Sequence, residues 1–354
     1  MHTINKLAYR LLLVMMVASC KKETIPLSTG KQTPAQLFLL ISGNQWDQLP
    51  VPSVRVQGPP PIDEYNLSFA ANDKVYAVLR GYNQLWQYDP SASIWTLKQS
   101  TFFNFDAAVG GNNYYQYAFT NGNTVYFLNP GTKKLKQYNL LTAQWADKAA
   151  FPGLALSNIT TSFTNTKGYA MAGVNGSDGT NPAGLSENWE YDFTGNTWMQ
   201  KANTPGLARY NAASFAVGDK IYFGTGISSG LRFNPVTFQP YHYPIIDSDW
   251  YEYSSSANTW MRKADFAGGA RQDTRGFIIN GNIYMGLGTA GFFTDLRTDL
   301  WSYSPLTNAW VKRAPYPPGN SYPPYITFVG AAQQGYALTA DITGFWRYTA
   351  PSIY

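Results

Sequence analysis

The chain of 354 residues contains one cysteine and two histidines, and these shortages exclude several kinds of site. Cys20 has no second cysteine to pair with, so a disulfide framework is excluded. Zinc sites of the Cys/His type need more such ligands than the chain offers. A Ser-His-Asp triad has only His242 outside the N-terminal segment, and no Gly-x-Ser-x-Gly elbow surrounds it. We interpret His242, in Tyr-His-Tyr-Pro, as a loop residue among aromatics.

Charged residues are also scarce, at 13% of the sequence, and the excess of positive charge lies at the N-terminus. Five of the 26 basic residues and one of the 21 acidic residues precede position 44, which leaves 21 basic and 20 acidic residues in the remainder. The sequence pI of about 9.0 is therefore a property of the N-terminal segment. No Gly-rich phosphate loop leads into a helix either. We expect no nucleic-acid partner.

The first forty residues have the features of a targeting segment. Lys6 and Arg10 precede an apolar run at 11–18, which ends in small residues as a secretory signal does and is too short to span a bilayer. Val17 to Cys20 resembles the lipobox of bacterial lipoproteins, in which the cysteine is lipidated and begins the mature chain. The following Lys-Lys-Glu resembles a surface-export tag of Bacteroidetes-type lipoproteins. The alternative is an ordinary signal peptide with an incidental thiol.

The lipobox resemblance implies a signal peptide at 1–19, a tether at 20–43 and a lipid anchor on Cys20. The protein would then be held at the outer membrane of the cell envelope, on its periplasmic or its exposed side. We predict that Cys20→Ser releases the mature protein into the soluble fraction, because a lipid rather than a protein segment holds it. Membrane partition of that variant equal to that of the wild type would contradict the lipobox interpretation.

Aromatic residues, in contrast, are abundant at 16% of the sequence, and they recur at a fixed spacing. The stretch 299–315, DLWSYSPLTNAWVKRAP, alternates on both sides of Ser-Pro-Leu-Thr-Asn, which predicts two antiparallel strands and a short loop. A period of about fifty residues built from such hairpins predicts a β-propeller with four strands in each blade. A tyrosine precedes a tryptophan by seven residues at five places: Tyr88 and Trp95, Tyr138 and Trp145, Tyr191 and Trp198, Tyr253 and Trp260, Tyr303 and Trp310.

A second hairpin precedes each of these pairs and ends in a strand with a tyrosine. Its best copies are 214–226 and 276–288, where Gly218-Asp219 and Asn280-Gly281 accept the positive φ of a tight turn. The fold class is therefore all-β, a single six-bladed propeller over 44–354. The six second-strand tyrosines are Tyr76, Tyr126, Tyr169, Tyr222, Tyr284 and Tyr336.

This combination resembles the kelch repeat, and the resemblance extends from Asn44 to the C-terminus. The family's paired glycines are reduced to 224–226 and 286–288 and are absent near Tyr76 and Tyr126, so no family binding residue is transferred to the first two blades. Galactose oxidase, an enzyme on a kelch propeller, needs a copper site of two histidines and tyrosines, one cross-linked to a cysteine. This chain cannot assemble that set, and we expect no metal and no cofactor.

The last unit lacks a fourth strand, because Tyr348 plus seven lies beyond the end of the chain. Gln45 to Pro50 has the features of an orphan fourth strand comparable with 310–315. We predict that this N-terminal strand closes the last blade, with Trp46 equivalent to Trp310 and with Gln45–Leu49 antiparallel to 344–349. We interpret the repeat tyrosines and tryptophans as side chains wedged between blades with their polar atoms on backbone partners.

Loop length points to one face of the propeller as the ligand side. The steps from second-strand to third-strand tyrosine are 12, 12, 22, 31, 19 and 12 residues, so blades three to five carry insertions. These loops and the blade-to-blade connections emerge at one end of the channel. We predict that the ligand-binding residues are Arg209, Tyr210, Arg232, His242, Arg271, Asp273 and Phe292. An alternative for Arg209 and Arg271 is that they bond only neighbouring backbone carbonyls.

Two functional hypotheses follow. The sequence favours a non-catalytic, monomeric module that binds a glycan or a protein ligand through the loops of blades three to five. The second is a sugar-processing enzyme, since bacterial six-bladed kelch proteins similar to this one include a sialic-acid mutarotase family, in which an arginine for the sugar carboxylate and one acid or base suffice. A carboxylate pair remains possible, but no spacing selects two of the loop carboxylates, which are Glu64, Asp106, Asp247, Asp249, Asp273 and Asp295. A lone buried carboxylate with arginines near the channel axis would favour the enzyme.

Overall fold

The computed structural model describes residues 41–53, 67–79, 82–102, 117–176, 184–233, 235, 238–291, 295–317, 326–339 and 343–353. The chain divides into a unit of residues 41–352 and a unit of residues 1–40 with 353–354, to which Ile353 alone of the described residues belongs. The predicted signal peptide, Cys20 and the tether up to residue 40 lie outside the described residues. Within the described part, no helix is long and apolar enough to cross a membrane.

The regular elements of the described ranges are strands, with no α-helix among them. In chain order, β1 to β29 are Ile41–Ser42, Gln45–Leu49, Leu67–Ala71, Lys74–Leu79, Gln84–Asp89, Ile94–Gln99, Tyr117–Asn121, Thr124–Asn129, Lys134–Asn139, Trp145–Asp147, Thr160–Phe163, Lys167–Met171, Asn188–Asp192, Thr197–Gln200, Arg209–Tyr210, Ala213–Val217, Lys220–Gly224, Ile227–Phe233, Pro240–Ile246, Trp250–Ser254, Thr259–Arg262, Arg275–Ile279, Asn282–Gly286, Leu300–Ser304, Ala309–Arg313, Ile326–Ala331, Gln334–Thr339, Phe345–Thr349 and Ser352–Ile353.

These strands build six four-stranded antiparallel sheets within the described residues, which we call blades one to six. Their strand orders are β3-β4-β5-β6, β7-β8-β9-β10, β11-β12-β13-β14, β16-β17-β20-β21, β22-β23-β24-β25 and β26-β27-β28-β2. The first strand of each blade lies within 8 Å (Cα–Cα) of the first strand of the next, in a closed cycle from β3 through β26 back to β3. The first strands are therefore innermost, and the predicted β-propeller is confirmed.

The N-terminal strand completes blade six, as the sequence predicts. Gln45 to Leu49 pairs antiparallel with Phe345 to Thr349, and Trp46 lies opposite Tyr348. Asn44 adds two hydrogen bonds, since its Oδ1 accepts from the Tyr348 hydroxyl at 2.8 Å and from the Ala314 amide at 2.9 Å. The Trp46 indole donates to the Ala314 carbonyl at 3.2 Å, so blade six is joined to blade five through the same residue twice.

The repeat aromatics connect neighbouring blades. The predicted backbone partners are confirmed for the tryptophans that follow, whereas the tyrosine hydroxyls bond side chains instead. Trp198 donates to the Ala149 carbonyl, Trp260 to that of Ala202 and Trp310 to that of Ala264, each at 3.0 Å and each in the preceding blade. Each tyrosine hydroxyl donates to the side-chain oxygen of an asparagine two residues before the tryptophan. The same asparagine oxygen also accepts from the backbone amide of the alanine whose carbonyl binds that tryptophan. The pairs are Tyr191 with Asn196, Tyr253 with Asn258, and Tyr303 with Asn308. Each tryptophan and asparagine pair thus holds two blades together at both backbone groups of one alanine.

The antiparallel order gives the propeller unit two different faces. The turns between first and second strands and between third and fourth strands leave one face, which we call the turn face. The loops between second and third strands and the blade-to-blade connections leave the other, which we call the loop face. In blade four the second-to-third loop contains the hairpin of β18 and β19, which pairs with β15 as a separate three-stranded sheet.

Candidate functional site

Arg209 lies near the end of the connection into blade four, just ahead of the innermost strand, and is buried, with 1% of its side chain exposed. Its guanidinium binds the Asp249 carboxylate with two nitrogens, Nη1 to Oδ1 and Nη2 to Oδ2, the latter at 2.8 Å. Nη1 also donates to the Thr225 carbonyl at 3.2 Å and Nε to the Leu207 carbonyl at 3.2 Å. Burial lowers the pKa of Arg209, but the hydrogen bond and charge of Asp249 outweigh it and leave the pKa raised. The side chain therefore ties the connection to the second-to-third loop of its own blade.

Arg271 occupies the equivalent place in blade five and is equally buried. Nη1 donates to Asp299 Oδ1 at 2.6 Å and to the Leu287 carbonyl at 3.2 Å, and Nη2 donates to Asp299 Oδ2 at 3.2 Å. Burial raises the pKa of Asp299, but the hydrogen bonds from Arg271 and from the Trp301 indole, together with the Arg271 charge, outweigh it, so this pKa lies below its ordinary value.

Two glycines permit these ion pairs. A Cβ on Gly224 would lie 2.0 Å from the Asp249 carbonyl oxygen, and one on Gly286 would lie 2.0 Å from that of Asp299. Only glycine at the end of the second strand lets the loop backbone come this close, which places the aspartate beside the arginine.

The two arginines have the carboxylate chemistry that the sequence predicts, but in the structure their partners are aspartates of this chain. Backbone carbonyls also accept from both, as the alternative interpretation expected. Most of their donors are used in these contacts, and both side chains are almost fully covered. Ligand binding by Arg209 and Arg271 stays a prediction, and their contacts give each a structural role.

Three equivalent residues form an arc along the loop face, just ahead of the innermost strands of blades three, four and five. Asn158, Asn211 and Asp273 all have positive φ, at 55°, 52° and 55°. The Asn211 amide donates to the Asn158 carbonyl at 3.3 Å, and the Asp273 amide donates to the Asn211 carbonyl at 3.1 Å. Asparagine and aspartate tolerate this left-handed conformation better than other non-glycine residues. The arc brings side chains from adjacent blades to the entrance of the channel.

Asp273 is the charged member of the arc and lies beside Arg275, the first residue of β22. The Asp273 side chain is 14% exposed, and its Oδ1 lies 4.0 Å from Arg275 Nη2. Oδ2 accepts only a 3.3 Å hydrogen bond from Asn211 Nδ2. Burial raises the pKa of Asp273, and the charge of Arg275 opposes this effect without cancelling it. The arc thus holds a mostly buried carboxylate that no described donor fully satisfies.

Arg275 is less engaged than Arg209 and Arg271. Its side chain is 35% exposed, and its one hydrogen bond within the described part, from Nη1, goes to the Thr274 carbonyl at 3.3 Å. The residues at this register in the other innermost strands of the described part are uncharged: Leu67, Tyr117, Thr160, Ala213 and Thr327. Arg275 therefore offers a guanidinium with most of its donors unused at the entrance of the channel.

Two neighbouring side chains complete this cluster. Tyr210 precedes Asn211 and is 9% exposed, and its pKa is raised by burial and then by the charge of Asp273. Gln272 is fully buried, its Oε1 accepts from Asn211 Nδ2 at 3.1 Å, and its Nε2 has no hydrogen-bond partner among the described residues. We call Tyr210, Asn211, Gln272, Asp273 and Arg275 the arc cluster.

The other predicted ligand residues lie away from the arc cluster or outside the described part. Arg232 is exposed on β18, where its guanidinium carbon lies 4.0 Å from the centre of the Tyr243 ring. His242 is on β19, paired through the backbone with Leu231. Phe292 lies outside the described residues. The structure therefore brings together Tyr210 and Asp273 of the predicted set, and it adds Asn211, Gln272 and Arg275.

Sequence reasoning missed Arg275 although a signal was present. It is the single charged residue at a register that is neutral in the other innermost strands, but this shows only after the six strands are aligned by their pairing. Asp249 and Asp299 each precede the third-strand tyrosine by four residues, but insertions of different length separate them from Arg209 and Arg271 and hide the pairing. Among the described residues, no group of three or more His, Cys, Asp or Glu side chains is arranged to hold a metal ion.

Comparisons with known proteins agree with the fold and give partial relatives. No family model matches the chain. The N-acetylneuraminate epimerase of Pasteurella multocida (strain Pm70) is 26% identical over 202 residues, 48% of this chain and 53% of that protein. The N-acetylneuraminate epimerase of Shigella flexneri serotype 5b (strain 8401) is 34% identical over 74 residues, 20% of each. The chain thus matches about half, or less, of the length of these curated relatives.

The solved structure of YjhT resembles the chain with a TM-score of 0.58 at 15% identity, over 86% of this chain and 99% of that one. At this identity the likeness shows the fold alone. Together with the all-strand sheets it fits a kelch-type β-propeller.

Proposed function

We propose that this protein is a sugar-processing enzyme that binds an acidic sugar of the N-acetylneuraminate class in the arc cluster and interconverts its anomers. The observation that carries the proposal is the pair of Asp273, a mostly buried carboxylate with a raised pKa, and Arg275, a half-buried guanidinium 4.0 Å away. The two partial relatives named N-acetylneuraminate epimerase support the same substrate class. This is the enzyme hypothesis of the sequence analysis, with its lone carboxylate and a nearby arginine.

Each residue has a role that its surroundings suit. The planar guanidinium of Arg275 can donate parallel hydrogen bonds to a sugar carboxylate, and its unused donors can do so without breaking an existing contact. Asp273, when ionised, takes the proton of the anomeric hydroxyl as the ring C–O bond breaks, and the ring oxygen receives a proton from solvent. Reclosure on the other side of the carbonyl reverses these transfers and gives the second anomer. A raised pKa brings Asp273 closer to the pH at which a carboxylate both accepts and returns a proton.

The test is anomer exchange of N-acetylneuraminate followed by NMR, with purified protein against buffer. Asp273→Asn should slow the catalysed exchange by about 10²–10⁴-fold, the usual contribution of a general acid or base. Arg275→Met should raise KM more than it lowers kcat, because the carboxylate contact is present before and during the reaction. In the wild type the rate should fall as the pH drops through the raised pKa of Asp273, since protonation removes the base, and Asp273→Asn should lose this limb.

Asp265→Asn is the matched control, because Asp265 is a carboxylate with 51% of its side chain exposed and bonds only to Arg262. It should leave the exchange rate unchanged. A wild-type protein that does not exceed the rate in buffer, or an Asp273→Asn variant with full activity, would overturn the proposal.

The second candidate is the non-catalytic module for a glycan or protein ligand. Exposed apolar side chains on the loop face favour it: Leu207, Phe233, Phe238 and Leu296 are 48%, 65%, 77% and 44% exposed. Saturation transfer to the sugar without faster anomer exchange would select this candidate over the enzyme. Lipid anchoring through Cys20 in the cell envelope is a further part of the proposal, and the Cys20→Ser partition experiment addresses it.

A further inference from the structure

A cleft of about 390 Å³ opens on the turn face between blades three and four, on the opposite side of the unit from the arc cluster. Turn residues such as Thr164, Asn165, Asp219 and Ser256 form its rim, and Glu190 lies in its lining. Among the described residues that line the cleft, none has an aromatic or aliphatic side chain. The volume falls within the range of small-molecule sites. The cleft is therefore large enough for one small polar molecule.

Glu190 has a carboxylate oxygen without a hydrogen bond in the described part of the chain. Its side chain is 10% exposed, and its Oε2 accepts from the Tyr169 hydroxyl at 2.8 Å. Oε1 lies 3.8 Å from Lys167 Nζ and 3.7 Å from Lys201 Nζ, both beyond hydrogen-bond distance. Lys167 instead binds Asp192 at 2.5 Å.

The next blade holds the same constellation with a closer lysine, although Oε1 of its glutamate, Glu252, also has no hydrogen bond in the described part. Glu252 stands at the equivalent position of blade four, and its Oε2 accepts from both the Tyr222 hydroxyl and the Lys263 ammonium, each at 2.9 Å. The lysine of the fourth strand thus makes contact in blade four and stops short in blade three. A buried carboxylate is costly unless donors satisfy it, so the shortfall at Glu190 marks a place for a ligand donor.

The chemistry of the cleft selects the class of ligand. A group that fits must donate to Glu190 Oε1 and accept from Lys167, the lysine of the lining, and a hydroxyl does both. An ammonium offers only donors and would lie against the lysines, whereas a carboxylate offers only acceptors and would meet Glu190 and Asp219. We propose that this cleft is a second binding site, for a neutral polyhydroxylated ligand such as one ring of a sugar. This site is separate from the arc cluster and does not depend on the function proposed there.

The probe is methyl β-D-glucopyranoside, with methyl β-D-galactopyranoside as a second neutral sugar, and binding is followed by saturation-transfer NMR and by titration. Glu190→Gln should weaken binding about tenfold, because a charge-assisted hydrogen bond is replaced by a neutral one. Ser256→Trp should abolish binding by filling the cleft from an exposed rim position without touching Glu190.

Glu252→Gln is the matched control, since it makes the same change beside the same residue types in the next blade. It and Asp273→Asn should bind both sugars as the wild type does. No saturation transfer to either sugar in the wild type would overturn the proposal, and so would equal losses in Glu190→Gln and Glu252→Gln. Binding that survives Ser256→Trp would place the sugar elsewhere and would overturn it as well.

Discussion

Trp46→Ala should lower the free energy of unfolding by up to about 3–5 kcal/mol, the usual cost of truncating a buried aromatic side chain, because Trp46 is partly buried. The indole packs against Phe277, Tyr316, Phe328 and Tyr348, with ring centroids 5.2–6.1 Å away, and it donates to blade five. Its loss leaves a cavity at the one blade that two distant chain segments build together. Urea denaturation of the purified variant gives this value, and a loss of this size is comparable with the whole stability of many domains.

Gln45→Ala is the matched control for Trp46→Ala, because Gln45 lies on the same strand with an exposed side chain. It should cost little, and deletion of 44–50 should cost more than Trp46→Ala because β28 would also lose its partner strand. An unchanged melting temperature after deletion of 44–50 would show that strand pairing between β2 and β28 does not hold the ring closed.

Arg209→Met should lower the free energy of unfolding by about 3–5 kcal/mol, since it leaves the Asp249 carboxylate buried without its partner. The Asp249 side chain is only 15% exposed, and Asp247 also lies 3.7 Å from the lost guanidinium. The double variant Arg209→Met, Asp249→Leu should recover much of this loss, because an apolar pair needs no compensating charge. Chemical denaturation of the two single variants and the double variant measures the coupling.

Arg271→Met tests whether the loss of unfolding free energy depends on the position in the repeat rather than on the particular blade. It leaves Asp299 in the same situation, so its effect should match that of Arg209→Met. Arg262→Met supplies the control, because its ion pair with Asp265 is exposed on both sides and exposed pairs contribute about 0–1 kcal/mol. If Arg209→Met were as mild as Arg262→Met, the two buried arginines would be free to serve a ligand, as the sequence analysis predicts.

Much of the fold could be predicted because every blade needs the same strand register and the same aromatic contacts. The step of seven from tyrosine to tryptophan sets the hairpin register, and Tyr303 indeed lies opposite Trp310. The missing fourth strand after Tyr348 led to Trp46 by the same rule. The asparagines two residues before the tryptophans were not recognised, although they hold the blades together through positive-φ turns and paired hydrogen bonds.

The candidate site was predictable only in part. Arg209 and Asp249 are 40 residues apart, and Arg271 and Asp299 are 28 apart, so no fixed spacing could reveal that each arginine is already paired. The arc cluster joins Tyr210 and Asn211 of one blade to Asp273 and Arg275 of the next. These residues meet only because the innermost strands of the two blades are adjacent. The unequal pairing of Glu190 and Glu252 depends on less than 1 Å in the position of a lysine.

The sequence by itself determined the architecture, because alternating strands, turn residues and aromatic side chains between blades are local features that recur in each repeat. It also determined which chemistry is scarce, through its single cysteine and two histidines. Only the tertiary structure decided which polar groups are satisfied. Asp299 and Asp273 are both loop carboxylates near an arginine, but the pKa of Asp299 is lowered and that of Asp273 is raised. The physical reason is that burial acts on both, whereas only Asp299 receives hydrogen bonds from a guanidinium, and that difference is set by the distance from each carboxylate to its arginine.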